Sequence, residues 1–194
     1  MNEHGMNALD RGLKIDVASG MVQGARFVPS PNCDPRPDGM AVEVLVIHSI
    51  SLPPGQFGGP AIEQLFCNTL NTDEHPYYRE IAGLKVSSHI LIRRNGEIIQ
   101  FAPLTRRAWH AGQSYCEGRT RVNDFSIGIE LEGADDVPFE EAQYQALAEL
   151  TRAIQQAYPG ITRDRIYGHG DIAPGRKTDP GPCFDWGRYL KLCI

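Results

Sequence analysis

The segment that most constrains the fold is a near-continuous apolar run, Ala41-Val-Glu-Val-Leu-Val-Ile-His48. Such a run is typical of a β-strand buried on both faces, as in the interior of a sheet that helices cover. His48 ends the run, directly before a segment rich in Gly and Pro. Because open α/β sheets bind ligands at the carboxyl ends of central strands, His48 is a candidate site residue. A buried structural histidine is the alternative interpretation.

Other patterns predict the remaining elements of an α/β fold. Asn95-Gly96 between two β-rich runs predicts a hairpin over 88–101, in which we interpret His89 as structural. Apolar periodicity and Pro or Gly boundaries predict helices over 60–68, 71–83 (a short one), 138–158 and 184–192, with short strands near 13–17 and 165–167. The Pro-rich stretch 29–39 is expected to lie extended on the surface. We predict a single domain over 1–194, with a central mixed sheet flanked by helices and residues 1–40 as an extended lead-in packed on it.

The stretch Ser126-Ile-Gly-Ile-Glu-Leu-Glu132 is predicted to be a strand with two unlike faces. Isoleucine and leucine alternate with Gly128, Glu130 and Glu132, so one face is apolar and the other carries carboxylates. A carboxylate in mid-strand is costly to bury without a partner. Since Gly128 leaves room beside it, Glu130 is a candidate acid/base group facing a cleft. An edge strand whose polar face meets water is the alternative.

Residues 167–183 form a loop in which Gly and Pro prevent regular structure through most of its length. His169 follows a short β-like run and is expected at a strand end, while Pro180 holds Asp179 extended. With His48, these residues make a set of two imidazoles and one carboxylate, which suits a catalytic zinc ion with an open fourth position. Alternative ligands are Asp171, Cys183 and His110.

Composition narrows the classes of partner. The 194 residues carry a formal net charge of −5, which argues against non-specific binding to nucleic acid or to an anionic membrane. The five cysteines are scattered and odd in number, which favours reduced thiols. The first twenty residues hold charged side chains and no apolar core, so no secretory signal is predicted, and no run approaches a membrane span. We expect a cytoplasmic protein, with a monomer favoured.

A stretch with Trp109 between arginines leaves two interpretations open. In the first, the indole packs within the protein and the arginines form a solvated face. In the second, the indole is a flat platform beside an anion-binding patch. No periodicity in the sequence decides between them.

Several motifs together resemble the zinc-dependent N-acetylmuramoyl-L-alanine amidases, the type that includes bacteriophage T7 lysozyme and the peptidoglycan recognition proteins. Within them, the chain is most similar to the cytoplasmic amidases that act on 1,6-anhydro-N-acetylmuramoyl-L-alanine. The resemblance runs over essentially the whole chain. Its most specific pieces are His48 with Ser51-Leu-Pro-Pro-Gly55 and Phe57-Gly-Gly-Pro60, then Ala108-Trp-His-Ala-Gly112, Asn123-Asp-Phe-Ser-Ile-Gly-Ile-Glu-Leu-Glu-Gly133 and Arg176-Lys-Thr-Asp-Pro-Gly-Pro182.

The resemblance implies a T7-lysozyme-like amidase fold and a role for each site residue. The family pattern assigns one zinc ion to His48, His169 and Asp179, the acid/base role to Glu130, and a place beside the metal to Lys177. The implied reaction is hydrolysis of the amide between the lactyl group of a muramic acid and L-alanine, during peptidoglycan recycling. For the muropeptide substrate, we expect packing of the sugar on Trp109 and contacts of peptide carboxylates with Arg121, Arg176 and Arg119.

Two other functions compete with this hypothesis. A non-catalytic peptidoglycan-binding module would be signalled by a lost zinc ligand, and none is lost here. A zinc peptidase acting on the peptide portion is the second alternative, although the H-E-x-x-H helix of many such enzymes is absent.

Overall fold

The computed structural model describes residues 12–194, and it confirms an α/β architecture with a central mixed sheet. In chain order, the strands and α-helices of this part of the chain are β1 (Ile15–Asp16), β2 (Met21–Val22), β3 (Arg26–Phe27), β4 (Cys33–Pro35), β5 (Val44–Ile50), α1 (Ala61–Phe66), α2 (Pro76–Glu80), β6 (Ile90–Ile92), β7 (Ile98–Gln100), β8 (Arg106–Ala108), β9 (Tyr115–Cys116), β10 (Arg119–Thr120), β11 (Ser126–Glu132), α3 (Glu141–Ala157), β12 (Ile166–Gly168), α4 (His169–Ile172) and α5 (Trp186–Leu192). Short 3-10 helices cover Val122–Asp124 and Arg163–Arg165.

The main sheet has six strands in the order β12-β5-β11-β6-β7-β3. Strands β12, β5, β11 and β6 run parallel, β7 returns antiparallel to β6, and β3 pairs parallel with β7. The apolar run predicted to be a buried strand is β5, and residues 44–47 have no exposed surface. Because β5 and β11 are neighbours in the parallel part of the sheet, their carboxyl ends meet at one edge, where a ligand site is expected.

Strand β11 lies between β5 and β6, so the edge-strand alternative for it is wrong. Its isoleucines and Leu131 pack in one apolar cluster with Leu147 and Leu150 of α3. This cluster covers one face of the sheet, and burial of its apolar side chains is the main source of stability for such a layer. The opposite face of the same strand carries the carboxylates of Glu130 and Glu132.

The predicted helices form, but each is shorter than its sequence pattern. The helix predicted over 138–158 begins after Glu140, whose side chain forms a capping box with Gln143, and it ends at Ala157. The helix predicted over 60–68 is capped by Pro60 and is followed by Asn68, whose positive φ of 59° lies outside the helical region. The predicted hairpin is β6–β7, with Gly96 at φ 84° in its turn.

The lead-in contributes strands to the rest of the domain. Strand β1 forms where a short strand was predicted and pairs with β2, while residues 1–11 lie outside the described part of the chain. Strand β3 extends the main sheet beyond β7, and β4 interrupts the Pro-rich stretch to pair with β8. All five cysteines are free thiols. Between residues 12 and 194, no helix combines the length and apolarity that crossing a bilayer requires.

Candidate metal centre

Three predicted ligands converge at the carboxyl edge of the sheet. His48 lies near the end of β5, His169 begins α4 directly after β12, and Asp179 lies in the loop that follows. The two Nδ1 atoms are 2.9 Å apart, and Asp179 Oδ2 lies 3.2 Å from Nδ1 of His48 and 3.1 Å from Nδ1 of His169. In the part of the chain that the structure describes, these three residues form the one group with metal-ligating geometry.

The spacing of the three atoms fits a zinc ion. Tetrahedral bonds of about 2.0–2.1 Å place ligand atoms roughly 3.3 Å apart, close to the separations observed here. Both imidazoles are buried, with 1% of His48 and 4% of His169 exposed. Burial lowers the pKa of His48 to about 4 despite the opposing effect of Asp179, so the ring is neutral at pH 7, which is the form that binds a metal.

The outer nitrogens of both rings are occupied by neighbours on one segment. His169 Nε2 donates to the carbonyl oxygen of Ala111 over 3.2 Å, and His48 Nε2 lies 2.9 Å from Nδ1 of His110. Since a carbonyl oxygen only accepts, neutral His169 carries its proton on Nε2 and directs a lone pair toward the centre. A site that gathers lone pairs and a carboxylate oxygen is suited to a cation.

The alternative ligands do not reach the centre. Asp171 Oδ2 accepts a hydrogen bond from the Gly168 N–H over 2.7 Å at the start of α4. His110 lies on the outer side of His48, away from the other two ligands. Cys183 does not belong to the metal-ligating group. The set of two histidines and one aspartate predicted from the sequence is therefore the set that the structure brings together.

Glu130 lies beside the three ligands. It is in register with His48 on the neighbouring strand, so the two side chains share one face of the sheet. Its Oε2 is buried and has no hydrogen-bond partner. Burial, aided by the charge of Asp179, raises the pKa of Glu130 well above its usual value, while Lys177 opposes that shift. A carboxyl group whose pKa is raised in this way is suited to accepting and donating a proton, provided that a substrate or water reaches it.

The ring of His110 occupies the space beside Gly128. The sequence interpretation, in which Gly128 leaves room beside Glu130 for a cleft, is therefore corrected. A Cβ built on Gly128 would lie 2.4 Å from Cγ of His110, so only glycine admits the ring. The other carboxylate of this strand, Glu132, is 2% exposed and accepts from Arg93 Nη1 over 2.9 Å. Glu132 is a partner of Arg93 and does not face the metal centre with Glu130.

Lys177 faces the same cavity as the ligands. Its side chain is exposed and lines the cavity together with Glu130, His169 and Asp179. Asp171 caps α4 and Glu132 binds Arg93, so these two carboxylates are engaged with groups other than Lys177. Its ammonium is thus available to a ligand in the cavity.

The cavity has a volume of about 600 Å³ and joins the polar centre to an apolar wall. Trp109 belongs to this wall. Other apolar side chains of the wall include Leu52, Tyr77, Ile81, Leu84 and Val86. A substrate with a polar reacting group and a less polar body fits such a cavity.

The predicted arginine contacts are not supported by the structure. Arg176 Nη2 donates to the carbonyl oxygens of Ala111 and Gln113, both over 2.7 Å. Arg121 pairs with Asp124 over 3.1 Å, and neither arginine lines the cavity. Arg176 therefore fastens the segment that orients His169.

Arg119 is also engaged away from the cavity. It pairs with Glu43 over 2.7 Å, and its guanidinium lies 3.8 Å from the centroid of the Phe125 ring. These contacts use both its charge and its planar face within the protein.

Sequence reasoning did not find the orienting role of the segment His110-Ala111. Asn123 Oδ1 accepts from the backbone N–H of His110 over 3.2 Å and of Ala111 over 2.8 Å, which fixes both residues. No local sequence pattern predicts these hydrogen bonds, because they join different segments of the chain. The glycine at position 128 was the available signal, since its missing side chain marks a close approach.

Comparison with known proteins identifies relatives over most of the chain. The model of the N-acetylmuramoyl-L-alanine amidase family matches residues 38–182. The 1,6-anhydro-N-acetylmuramyl-L-alanine amidase AmpD of Escherichia coli strain K12 is 58% identical to this chain over 176 residues, which cover 91% of this chain and 96% of that protein.

Solved structures agree with this result. A crystal structure of a selenomethionine AmpD derivative matches with a TM-score of 0.88 at 55% identity, covering 91% of this chain and 98% of that chain. The amidase AmiD of E. coli, solved in complex with anhydro-N-acetylmuramic acid-L-Ala-D-gamma-Glu-L-Lys, matches with a TM-score of 0.58 at 32% identity, covering 95% of this chain and 67% of that chain. The amidase fold expected from the sequence resemblance is confirmed.

Proposed function

The chain belongs to the N-acetylmuramoyl-L-alanine amidase family, and from this premise we propose that it hydrolyses the amide bond between the lactyl group of 1,6-anhydro-N-acetylmuramic acid and the L-alanine of a stem peptide. The similar AmpD protein bears the name of that activity, and AmiD was solved with an anhydromuropeptide described as its substrate. The observation that carries the proposal is the convergence of His48, His169 and Asp179 beside Glu130 in one open cavity.

We propose zinc as the metal that His48, His169 and Asp179 hold. Two neutral imidazoles and one carboxylate are a typical donor set for catalytic zinc. When bound, zinc would polarise the scissile carbonyl and make a water molecule acidic enough to attack near neutral pH. The protein contributes the orientation of the ligands and the placement of the groups around them.

Glu130 is proposed to carry the proton. Its Oε2 is buried and unpartnered, and its pKa is raised by burial, so it can accept a proton from the attacking water. The same carboxyl group can then donate that proton to the departing amine of L-alanine. Without such a donor, the amine would leave as an unstable anion.

Lys177 is proposed to stabilise the oxyanion that develops on the carbonyl oxygen. Its side chain lines the cavity, and the carboxylates of Asp171 and Glu132 are engaged with other groups. A charge placed where negative charge develops stabilises the transition state more than the ground state. Trp109, in the apolar wall, is proposed to pack against the sugar.

The biological setting proposed is muropeptide recycling in the cytoplasm by a monomeric enzyme. A small muropeptide fits a cavity of about 600 Å³. This part of the proposal rests on the names of the similar proteins and on the size of the cavity.

The test is cleavage of a defined anhydromuropeptide, with the matched reducing N-acetylmuramic acid compound as a comparison. Mass spectrometry should find a free peptide beginning with L-alanine and a sugar that keeps its lactyl carboxylate. Removal of zinc by a chelator should stop the reaction, and added zinc should restore it. Binding without cleavage would favour the non-catalytic module, and cuts within the peptide would favour a peptidase.

A further inference from the structure

His48 is the first member of a buried hydrogen-bonded chain that leads away from the metal centre. His48 Nε2 lies 2.9 Å from His110 Nδ1, and His110 Nε2 lies 3.1 Å from the hydroxyl oxygen of Ser126. Ser126 is fully buried, and His110 is 8% exposed. The rings of His48 and His110 meet edge to face, with centroids 5.0 Å apart. His110 therefore links the buried imidazole of His48 to the buried hydroxyl of Ser126.

We propose that His110 is a positioning residue which, together with Ser126, holds His48 in the tautomer whose Nδ1 is free to bind the metal. This proposal rests on the proposed function, because it takes His48 as a zinc ligand. It concerns His110 and Ser126, which lie on the side of His48 opposite to the metal site. If Nδ1 of His48 binds a metal, the single proton of the ring is on Nε2. His110 must then accept at Nδ1 and donate from Nε2 to Ser126.

The chain can also run in the opposite direction, which suits the metal-free protein. His169 Nδ1 bears a lone pair, because its Nε2 donates to the carbonyl of Ala111. Without a metal, His48 can carry its proton on Nδ1, where His169 Nδ1 at 2.9 Å and Asp179 Oδ2 at 3.2 Å can accept it. His48 Nε2 then accepts from His110 Nδ1, and His110 Nε2 accepts from the Ser126 hydroxyl.

A reversal of this kind needs no net gain or loss of protons. Each imidazole keeps one proton, which moves from Nδ1 to Nε2 when the metal binds. Ser126 keeps its hydroxyl proton and changes from donor to acceptor. A hydroxyl is suited to the end of the chain, because its hydrogen rotates and it can act in either sense. Alanine or valine at position 126 could not end the chain in this way.

The backbone around His110 is built to keep the ring in place. Gly128 leaves the space that the ring occupies, since a Cβ there would lie 2.4 Å from His110 Cγ. Asn123 holds the backbone N–H groups of His110 and Ala111. One short segment thus supplies the acceptor for the outer nitrogen of each metal-binding histidine, by a side chain for His48 and by a carbonyl for His169.

The first experiment measures the tautomers directly in the intact protein. Long-range proton–nitrogen correlation spectra distinguish a protonated ring nitrogen from a bare one. We expect His110 to carry its proton on Nε2 in the zinc-loaded protein and on Nδ1 in the zinc-free protein. A proton on Nδ1 of His110 in the zinc form would overturn the proposal, and Nε2–H in both forms would overturn the reversal.

The second experiment measures zinc affinity by competition with a chromophoric chelator. His110→Leu removes the acceptor and fills the space of the ring with an apolar side chain, and it should weaken zinc binding about 10- to 100-fold. His110→Asn should recover most of that loss, because its amide oxygen can accept at the position of Nδ1. The matched control is His89→Leu, since His89 is fully buried nearby but bonds the backbone of Gly128 and Arg106.

The control separates ligand orientation from general destabilisation. His89→Leu should lower thermal stability and leave zinc affinity unchanged. Equal loss of zinc affinity in His89→Leu and His110→Leu, or wild-type affinity in His110→Leu, would overturn the positioning role. If His110→Leu does not fold, the tautomer measurement decides alone. Failure of the wild-type protein to bind zinc would instead contradict the proposed function.

Discussion

The two faces of β11 have opposite effects on the stability of the folded protein. On the α3 side, Ile127, Ile129 and Leu131 are at most 1% exposed and pack in one apolar cluster. On the other side, Glu130 has a buried oxygen without a partner. The apolar face lowers the free energy of the folded state by burial, whereas the polar face raises it.

The comparison shows that apolar burial on one face of the sheet can offset the free-energy cost of the polar site on the other face. Each buried apolar side chain on the α3 face contributes about 1.5–3 kcal/mol, while an unsatisfied buried polar group costs about 1–3 kcal/mol. Because the strand alternates, the two sets of side chains lie within one residue of each other and share one backbone. Substitutions on the polar face should therefore change activity, and those on the apolar face should change stability.

The largest effect is expected from the metal ligands. Asp179→Ala should remove zinc and reduce amidase activity to background, because it removes the one charged ligand of the three. Zinc per chain by mass spectrometry and cleavage of the anhydromuropeptide measure the two effects. The matched control is Cys183→Ala, which should keep zinc and activity. Zinc retained in Asp179→Ala but lost in Cys183→Ala would show that the ligand set is wrong.

Glu130→Gln should keep zinc and lose roughly 100- to 10,000-fold in kcat, the usual contribution of a positioned acid or base. The glutamine keeps the shape of the side chain but cannot carry the proton. Single-turnover rates on protein of known zinc content measure the loss. A variant within tenfold of the wild-type rate would exclude Glu130 as the proton carrier.

The same substitution should not destabilise the zinc-free protein at pH 7. The folded-state pKa of Glu130 is raised, so the folded protein holds this proton more tightly than the unfolded chain does. The wild-type protein should then lose stability as pH rises from about 4.3, the ordinary glutamate pKa, through the raised value. Urea unfolding of both zinc-free proteins against pH should show this loss as a difference between them, with stability falling more steeply with pH when glutamate is present.

Lys177→Met should keep zinc and lower kcat roughly 100- to 1,000-fold, as for loss of one oxyanion donor. Because the interaction forms in the transition state, KM should change little. Lys191→Met removes an exposed charge on α5 and serves as the control. Loss of zinc or of thermal stability in Lys177→Met, with an unchanged rate per bound zinc, would assign the lysine a structural role.

The smallest effect is expected on the apolar face. Ile129→Val removes one buried methylene and should lower the free energy of unfolding by about 0.5–1.5 kcal/mol. The rate per folded, zinc-loaded molecule should stay at the wild-type level. Denaturant unfolding and single-turnover kinetics measure both quantities. A tenfold drop in rate without a change in stability would break the division between the two faces.

Much of the fold was predictable because local patterns decide it. The alternation in β11, the apolar run of β5 and the Asn95-Gly96 turn each specify an element through residues that are neighbours in sequence. Helix ends were less predictable, because caps such as Glu140 with Gln143 depend on side-chain contacts that periodicity does not report.

Within the site, residue chemistry was readable and the supporting contacts were not. Two histidines at strand ends and a carboxylate before a proline indicate a metal by their donor types alone. Arg176 looked like an anion-binding residue, yet it fastens the carbonyls of Ala111 and Gln113. An arginine has the same charge in both roles, so only its neighbours distinguish them.

By itself, the sequence determined the α/β class and the unlike faces of β11, and it narrowed the side chains able to bind a metal to a few candidates, since these follow from residue type and short-range spacing. Only the tertiary structure decided which groups hydrogen-bond to the outer nitrogens of the metal-binding histidines. His110 reaches His48 across 62 positions of the chain, Ser126 reaches His110 across 16, and Gly128 admits the His110 ring only because two strands and a loop meet there. Hydrogen bonds of this kind depend on tenths of an ångström between distant segments, and that precision comes from packing.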